Sequence, residues 1–210
     1  MTAYVIGLTG QMGAGKTTVA QMLRELGAKV LDADAIVHQE QSRGTVGYSA
    51  IVQRFGTGVL GEDREIDRAK LAEQVFADPR KLAELERILH PRVVARVLEA
   101  RSMLPDGGIL VIEAIKLLES ALRSACDEVW VVVAPHDVLL ERLRGRGVPA
   151  AEAEARLRHQ RSEADFRANG NVVIENGADR EATRQRARSA YETARAKASA
   201  KASRAPGSGT

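Results

Sequence analysis

The 210-residue chain is expected to fold as an α/β protein, a parallel β-sheet flanked by helices. Three observations carry this expectation. Short apolar runs of strand character recur at 4–8, 29–31, 109–112, 128–133 and 171–174. Stretches with apolar residues at helical spacing separate them, so successive strands connect by right-handed crossovers. The first run ends in a glycine-rich loop that leads straight into a helical pattern, the strand–loop–helix order of an anion-binding turn.

Each element has its own local reason. After the loop, Val19, Ala20, Leu23 and Leu26 share one helical face until Gly27 stops it. Lys29-Val30-Leu31 ends at Asp32-Ala33-Asp34, and 35–41 begins a further helix. Residues 67–75 and 79–89 read as amphipathic helices with a turn at 77–79, and His90-Pro91 punctuates the pattern before a third helix over 91–104. Glu113 closes the third strand and Ala134-Pro135 the fourth. Residues 137–144 and 150–161 read as basic helices, 171–174 as the last strand, and 180–201 as a polar, Ala-rich helix before a disordered end at 205–210. The helical stretch from about 63 to 104 and the Arg-rich stretch from 137 to 167 interrupt the alternation and read as insertions on the sheet's ligand edge.

Composition narrows the function. With 44% hydrophobic and 28% charged residues and no apolar run of about 20, the chain reads as soluble and cytoplasmic, with no membrane partner. One cysteine, Cys126, excludes an internal disulfide framework and reads as a small buried hydrophobe. The net charge of +3 suits anionic substrates as well as nucleic acid, but 3% aromatic residues leave few platforms for stacking bases. From Asp179 onward, eight basic residues face three acidic ones, which reads as a solvated helix with a frayed end rather than a nucleic-acid arm. No nucleic-acid partner is expected, and the chain should be a monomer or weak homo-oligomer.

The chemistry lies in Gly10-Gln11-Met12-Gly13-Ala14-Gly15-Lys16-Thr17, which fits G-x-x-x-x-G-K-[ST] at every position. The glycines let backbone N–H groups, Thr18 included, turn toward phosphates at the positive end of the following helix. Lys16 would reach the β- and γ-phosphates of a nucleoside triphosphate and Thr17 would ligate Mg²⁺. The spacing Gly56-Thr57-Gly58-Val59-Leu60-Gly61 mimics a dinucleotide fingerprint, but charged residues follow it, so it reads as a loop.

Such a loop serves switches, motors and kinases alike. The absence of Asn-Lys-x-Asp counts against a GTPase. Asp32, Asp34 and Glu113 follow strand ends, which share one edge of a parallel sheet. Transfer to a hydroxyl benefits from a carboxylate that takes its proton; transfer to an anionic phosphate does not. Asp32 and Asp34 suit that task, or one of them caps the next helix. Glu113 is a water-mediated Mg²⁺ ligand or a solvated strand end. Arg142 and Arg146 head a cluster suited to neutralising a transferring phosphoryl group, most of whose members are surface residues.

These residues resemble the dephospho-coenzyme A kinase family, over Gly7 to about Gly177. The resemblance rests on GLTGQMGAGKTTVA, LGAKVLDADAIVH, IDRAKLAEQVFADPRKLAELERILHPRV, VIEAIKLLES, VWVVVAP, LLERLRGRG and VVIENGAD. It implies a P-loop kinase core of the nucleotide-monophosphate-kinase type over 1–60, 105–135 and 170–200, a helical acceptor-binding insertion at 61–104, a lid at 136–169 and a disordered tail at 201–210. It also implies Mg²⁺-assisted phosphorylation of the 3′-hydroxyl of dephospho-coenzyme A by ATP. Asp34 matches the family's general base, Arg142 or Arg146 its lid arginines, and Asn176 its adenine-side loop. Arg68 and His90 fall in the acceptor-binding segment; Asp32 and Glu113, at strand ends outside it, would also face substrate. The chain departs from the family's Asp-x-Pro-Leu-Leu-Phe-Glu stretch, where Lys116 replaces an apolar residue and faces either an acceptor phosphate or solvent. The usual Lys and Ala-Asp near the lid's end are replaced by Phe166 and Gly170-Asn171, so no role is carried over there. The alternative is a P-loop kinase for another nucleoside or nucleotide acceptor, and, in another class, a nucleotide-dependent nucleic-acid-binding protein.

Overall fold

The computed structural model describes residues 3–177 and 179–204; the end at 205–210 lies outside them. Five strands, β1 (Tyr4–Gly10), β2 (Lys29–Asp32), β3 (Ile109–Glu113), β4 (Glu128–Val133) and β5 (Val172–Glu175), form one sheet in the order β2-β3-β1-β4-β5. β1 is central and runs parallel to β3 and β4, with Leu8 opposite Glu113 and Gly10 opposite Val132. β4 pairs in parallel with β5. The chain leaves β1 toward one side and later returns on the other, so the end of β1 is the switch point where ligands of such sheets sit.

Burial explains the strands. Every residue of β1, β3 and β4 is buried, as expected of strands covered on both faces. Trp130 is fully buried, and its indole N–H donates to Glu128 Oε2 at 3.0 Å. α1 (Lys16–Glu25) contributes Val19, Ala20, Met22 and Leu23 to the same core. α6 (His136–Gly145) adds Leu139 and Leu143, and α7 (Ala150–Arg158) adds Ala153 and Leu157.

The chain divides into two compact units, 1–31 with 100–210, and 32–99. The second holds α2 (Ala33–Glu40), α3 (Val46–Phe55), α4 (Arg68–Phe76) and most of α5 (Pro79–Ser102). It therefore contains most of the 61–104 segment together with two helices before it. Its own core gathers Ile51, Val59, Leu71, Val75 and Leu89. Residues Thr57–Val59 form one 3-10 turn inside the Gly56–Gly61 loop, not a nucleotide fingerprint.

Four elements differ from the sequence reading, the first being α3, a helix not expected there. His90-Pro91 does not break the chain: α5 is continuous, with Pro91 inside it. Proline removes one backbone bond, but Leu89, Val93 and Val97 on one face are all buried and hold the helix on both sides of it. A short helix, α8 (Glu163–Asn169), begins at Ser162 with a reciprocal capping box to Asp165. α9 (Arg180–Arg204) runs past the boundary expected at 201 and is not merely solvated. Thr183, Ala187, Tyr191, Ala194 and Ala198 lie one helical turn apart and are buried. Several of its cations are spent on local ion pairs: Arg184 with Glu25 and Glu181, Lys197 with Glu128, Lys201 with Asp127.

Cys126 is half-buried, and its thiol donates to Leu122 O at 3.2 Å. Burial, with the nearby Asp127 charge, pushes the thiol up to about 12 from 9.0. Since the thiolate is the reacting species, alkylation at pH 8 is expected to run on the order of a thousandfold slower in the folded protein than in denaturant. Timed iodoacetamide labelling read by mass spectrometry checks this; equal rates would contradict it.

Candidate active site

The glycine loop spans the turn from the end of β1 to the start of α1. Gly10 (φ 148°) and Gly15 (φ 90°) show why side chains are absent there. A Cβ on Gly10 would fall on the carbonyl oxygen of Val132, and one on Gly15 on the side-chain nitrogen of Asn176. Gly15 is also the N-cap of α1 and has no side chain to satisfy the first-turn amides. Those N–H groups and the helix dipole are arranged as in an anion-binding helix N-terminus.

Lys16 is buried, at 8% exposure, and its Nζ donates to Gly10 O at 3.0 Å and Gln11 O at 3.1 Å. Its ammonium thus lies inside the loop rather than in solvent. Thr17 Oγ1 donates to Glu113 Oε1 at 2.8 Å. Glu113 is buried at the end of β3, so it is not a solvated strand end. Together the hydroxyl and carboxylate present hard oxygen donors of the kind Mg²⁺ takes alongside phosphates. Among the described residues, no group of three or more His, Cys, Asp or Glu could hold a metal ion.

The back of the loop is braced from distant sequence. Asn176, just beyond β5, is buried; its Nδ2 donates to Ala14 O at 2.7 Å and its Oδ1 accepts from Thr183 Oγ1 at 3.0 Å. Arg142 donates through Nη1 to Gly13 O and Ala14 O, both at 3.3 Å, and through Nη2 to Asn176 O at 2.7 Å. An open cavity of about 800 Å³ begins here, lined among others by Thr17, Thr18, Arg142, Arg146, Asn176 and Arg180. α6 ends at Gly145, so Arg146 is its C-cap residue rather than a further helical position, yet both arginines reach this cavity.

The family model for dephospho-CoA kinase matches residues 4–181. This chain belongs to the dephospho-CoA kinase family. It is 38% identical over 187 residues to the dephospho-CoA kinase of Aquifex aeolicus, covering 89% of this chain and 95% of the relative. Among solved structures, TT1252 from Thermus thermophilus superposes with a TM-score of 0.81 at 31% identity, covering 92% of this chain and 98% of that one. The dephospho-CoA kinase from Campylobacter jejuni gives 0.66 at 24% identity over 90% and 95%, a likeness of fold. The chain is accordingly a kinase of the P-loop type, and no helix among the described residues is long and apolar enough to cross a membrane.

The remaining residues singled out in the sequence lie as follows. Asp32 is the N-cap of α2, accepting from Ala35 N at 3.0 Å, while Asp34 is exposed in that helix's first turn. The chain is turning at this point, so the two carboxylates do not share one strand face. Arg68 is the first residue of α4, behind the capping Asp67, and is exposed; His90 is exposed within α5. Lys116 is exposed at the start of a 3-10 turn over Leu117–Glu119. Two contacts on the loop escaped the sequence: Gln160 and Arg161, just after α7, bond to Met12 and Gln11. No motif marks them.

Proposed function

We propose that this chain transfers the γ-phosphoryl group of ATP to the 3′-hydroxyl of dephospho-coenzyme A, giving coenzyme A and ADP. The observation that carries this reading is the buried Lys16 ammonium inside the glycine loop, in a chain of this family. The first-turn amides of α1, Thr18 included, and Lys16 bind the phosphates and offset the charge that builds on them. Thr17 and Glu113 would hold Mg²⁺, which would offset the phosphate charge that otherwise repels the incoming oxygen. Asp34 accepts the proton of the acceptor hydroxyl as its oxygen bonds to phosphorus; the bond from phosphorus to the bridging oxygen breaks and ADP leaves. Asp34 then releases the proton to solvent.

Arg146, on the cavity wall, supplies positive charge to the nucleotide, and Arg142 chiefly braces the loop through its carbonyls. Asn176 shapes the nucleoside side of the cavity as part of that brace. Arg68, His90 and Lys116 recognise the acceptor, and Asp32 acts as the cap that orients Asp34. Residues 61–104 serve the acceptor and 136–169 act as the lid over ATP.

Purified protein with Mg²⁺ and ATP should release ADP when dephospho-coenzyme A is added, and phosphorus NMR should place the new phosphate on the 3′ oxygen. ADP release that responds instead to a nucleoside monophosphate, or to RNA or DNA, would replace this reading.

A further inference from the structure

The turn between α7 and α8 is bonded to the phosphate loop by two reciprocal hydrogen bonds. Met12 N donates to Gln160 Oε1 at 2.8 Å, and Gln11 Nε2 donates to Arg161 O at 3.3 Å. Each segment contributes one side chain and one backbone group. The β1 ladder has already ended at Gly10, so Met12 N–H has no strand partner and the Gln160 carbonyl takes that place. Arg161 is also ion-paired with Glu119, at the end of the short helical turn that follows β3. The 159–161 turn is itself pinned on both sides, by buried Leu157 in α7 and buried Phe166 in α8. A half-buried side chain is thus delivered to the tip of the loop across 148 residues of sequence.

We propose that Gln160 is a positioning residue for phosphoryl transfer: its neutral amide oxygen holds the Met12 amide and so sets the tip of the phosphate loop against the Lys16 end. The inference rests on the function proposed above and adds a residue to it. The chemistry also specifies why an amide is needed. A carboxylate at 160 keeps the acceptor but brings negative charge beside a site built for phosphates. An apolar side chain of equal length keeps the packing but leaves the Met12 N–H without its partner.

Two variants separate these effects. Gln160→Met is expected to lower kcat about tenfold with KM for ATP changed by less than about threefold, a misplaced loop tip costing chiefly the transition state. Gln160→Glu is expected to raise KM for ATP about tenfold while keeping kcat within about threefold of the parent. Hydrogen exchange of the Met12 amide should quicken about tenfold or more in Gln160→Met and stay slow in Gln160→Glu, which retains the bond. Equal exchange in all three proteins, or the same kinetic change in both variants, would overturn the proposal. Should Gln160→Met not fold, the Glu variant still tests it through its KM-against-kcat split and its slow exchange. Exchange needs no acceptor, so a parent protein that ignores dephospho-coenzyme A would defeat the proposed function while the exchange data still judged the loop contact.

Discussion

Lys16→Ala is expected to lower kcat/KM for ATP on the order of a thousandfold or more, the largest effect of any single substitution in this chain. Three features set that expectation. The ammonium is buried, it is held by the two carbonyls at the loop's start, and it lies beside the uncapped amides of α1. A preplaced charge held out of water acts on phosphates far more strongly than it would in solvent. Removing the side chain leaves the glycine geometry and the helix dipole intact, so residual nucleotide binding survives through backbone donors. Thermal melts with and without ATP check this directly. The parent should melt higher as ATP rises and the variant should shift much less, because stabilisation follows affinity by mass action. A variant with parental turnover would remove Lys16 from the site.

The second expectation concerns the acceptor. Asp34→Asn should lower kcat with dephospho-coenzyme A by about a hundredfold to ten-thousandfold, the usual contribution of a positioned base, with KM for ATP nearly unchanged. Because Asp34 is exposed in the first turn of α2, the substitution should leave folding intact. Asp32 provides the contrast. It caps α2 through Ala35 N, so Asp32→Ala should cost about 1 kcal/mol of stability in a denaturant titration, and Asp32→Asn should restore most of it. If Asp34→Asn turned over at the parental rate, the acceptor would be an oxygen that needs no deprotonation, such as a phosphate.

The parts legible in the sequence are those where local pattern and burial agree. β1, β3 and β4 stand out because strands buried on both faces must be apolar throughout. The phosphate loop stands out because only glycine tolerates the approach of Val132 O and Asn176. What stayed hidden depends on tertiary context. α3 follows Gly44 and contains Gly47, weak helical signals that the Thr45 cap and buried Ile51 override. Pro91 looked like a stop, yet burial of Val93 and Val97 carries α5 through it. The brace behind the loop could not be read at all, because Arg142, Gln160 and Asn176 meet residues 13, 12 and 14 only after the sheet has formed.

The last helix has a practical consequence. Near its start, Thr183 supports the asparagine that props Ala14; near its far end, Lys197 and Lys201 anchor on the acids that open β4. Deletions from the carboxyl end should therefore be tolerated only until they reach about Lys201. Shorter chains would lose the anchors of the helix that carries the prop and one wall of the core, so enzyme made from them should fail in solubility and catalysis at the same truncation point.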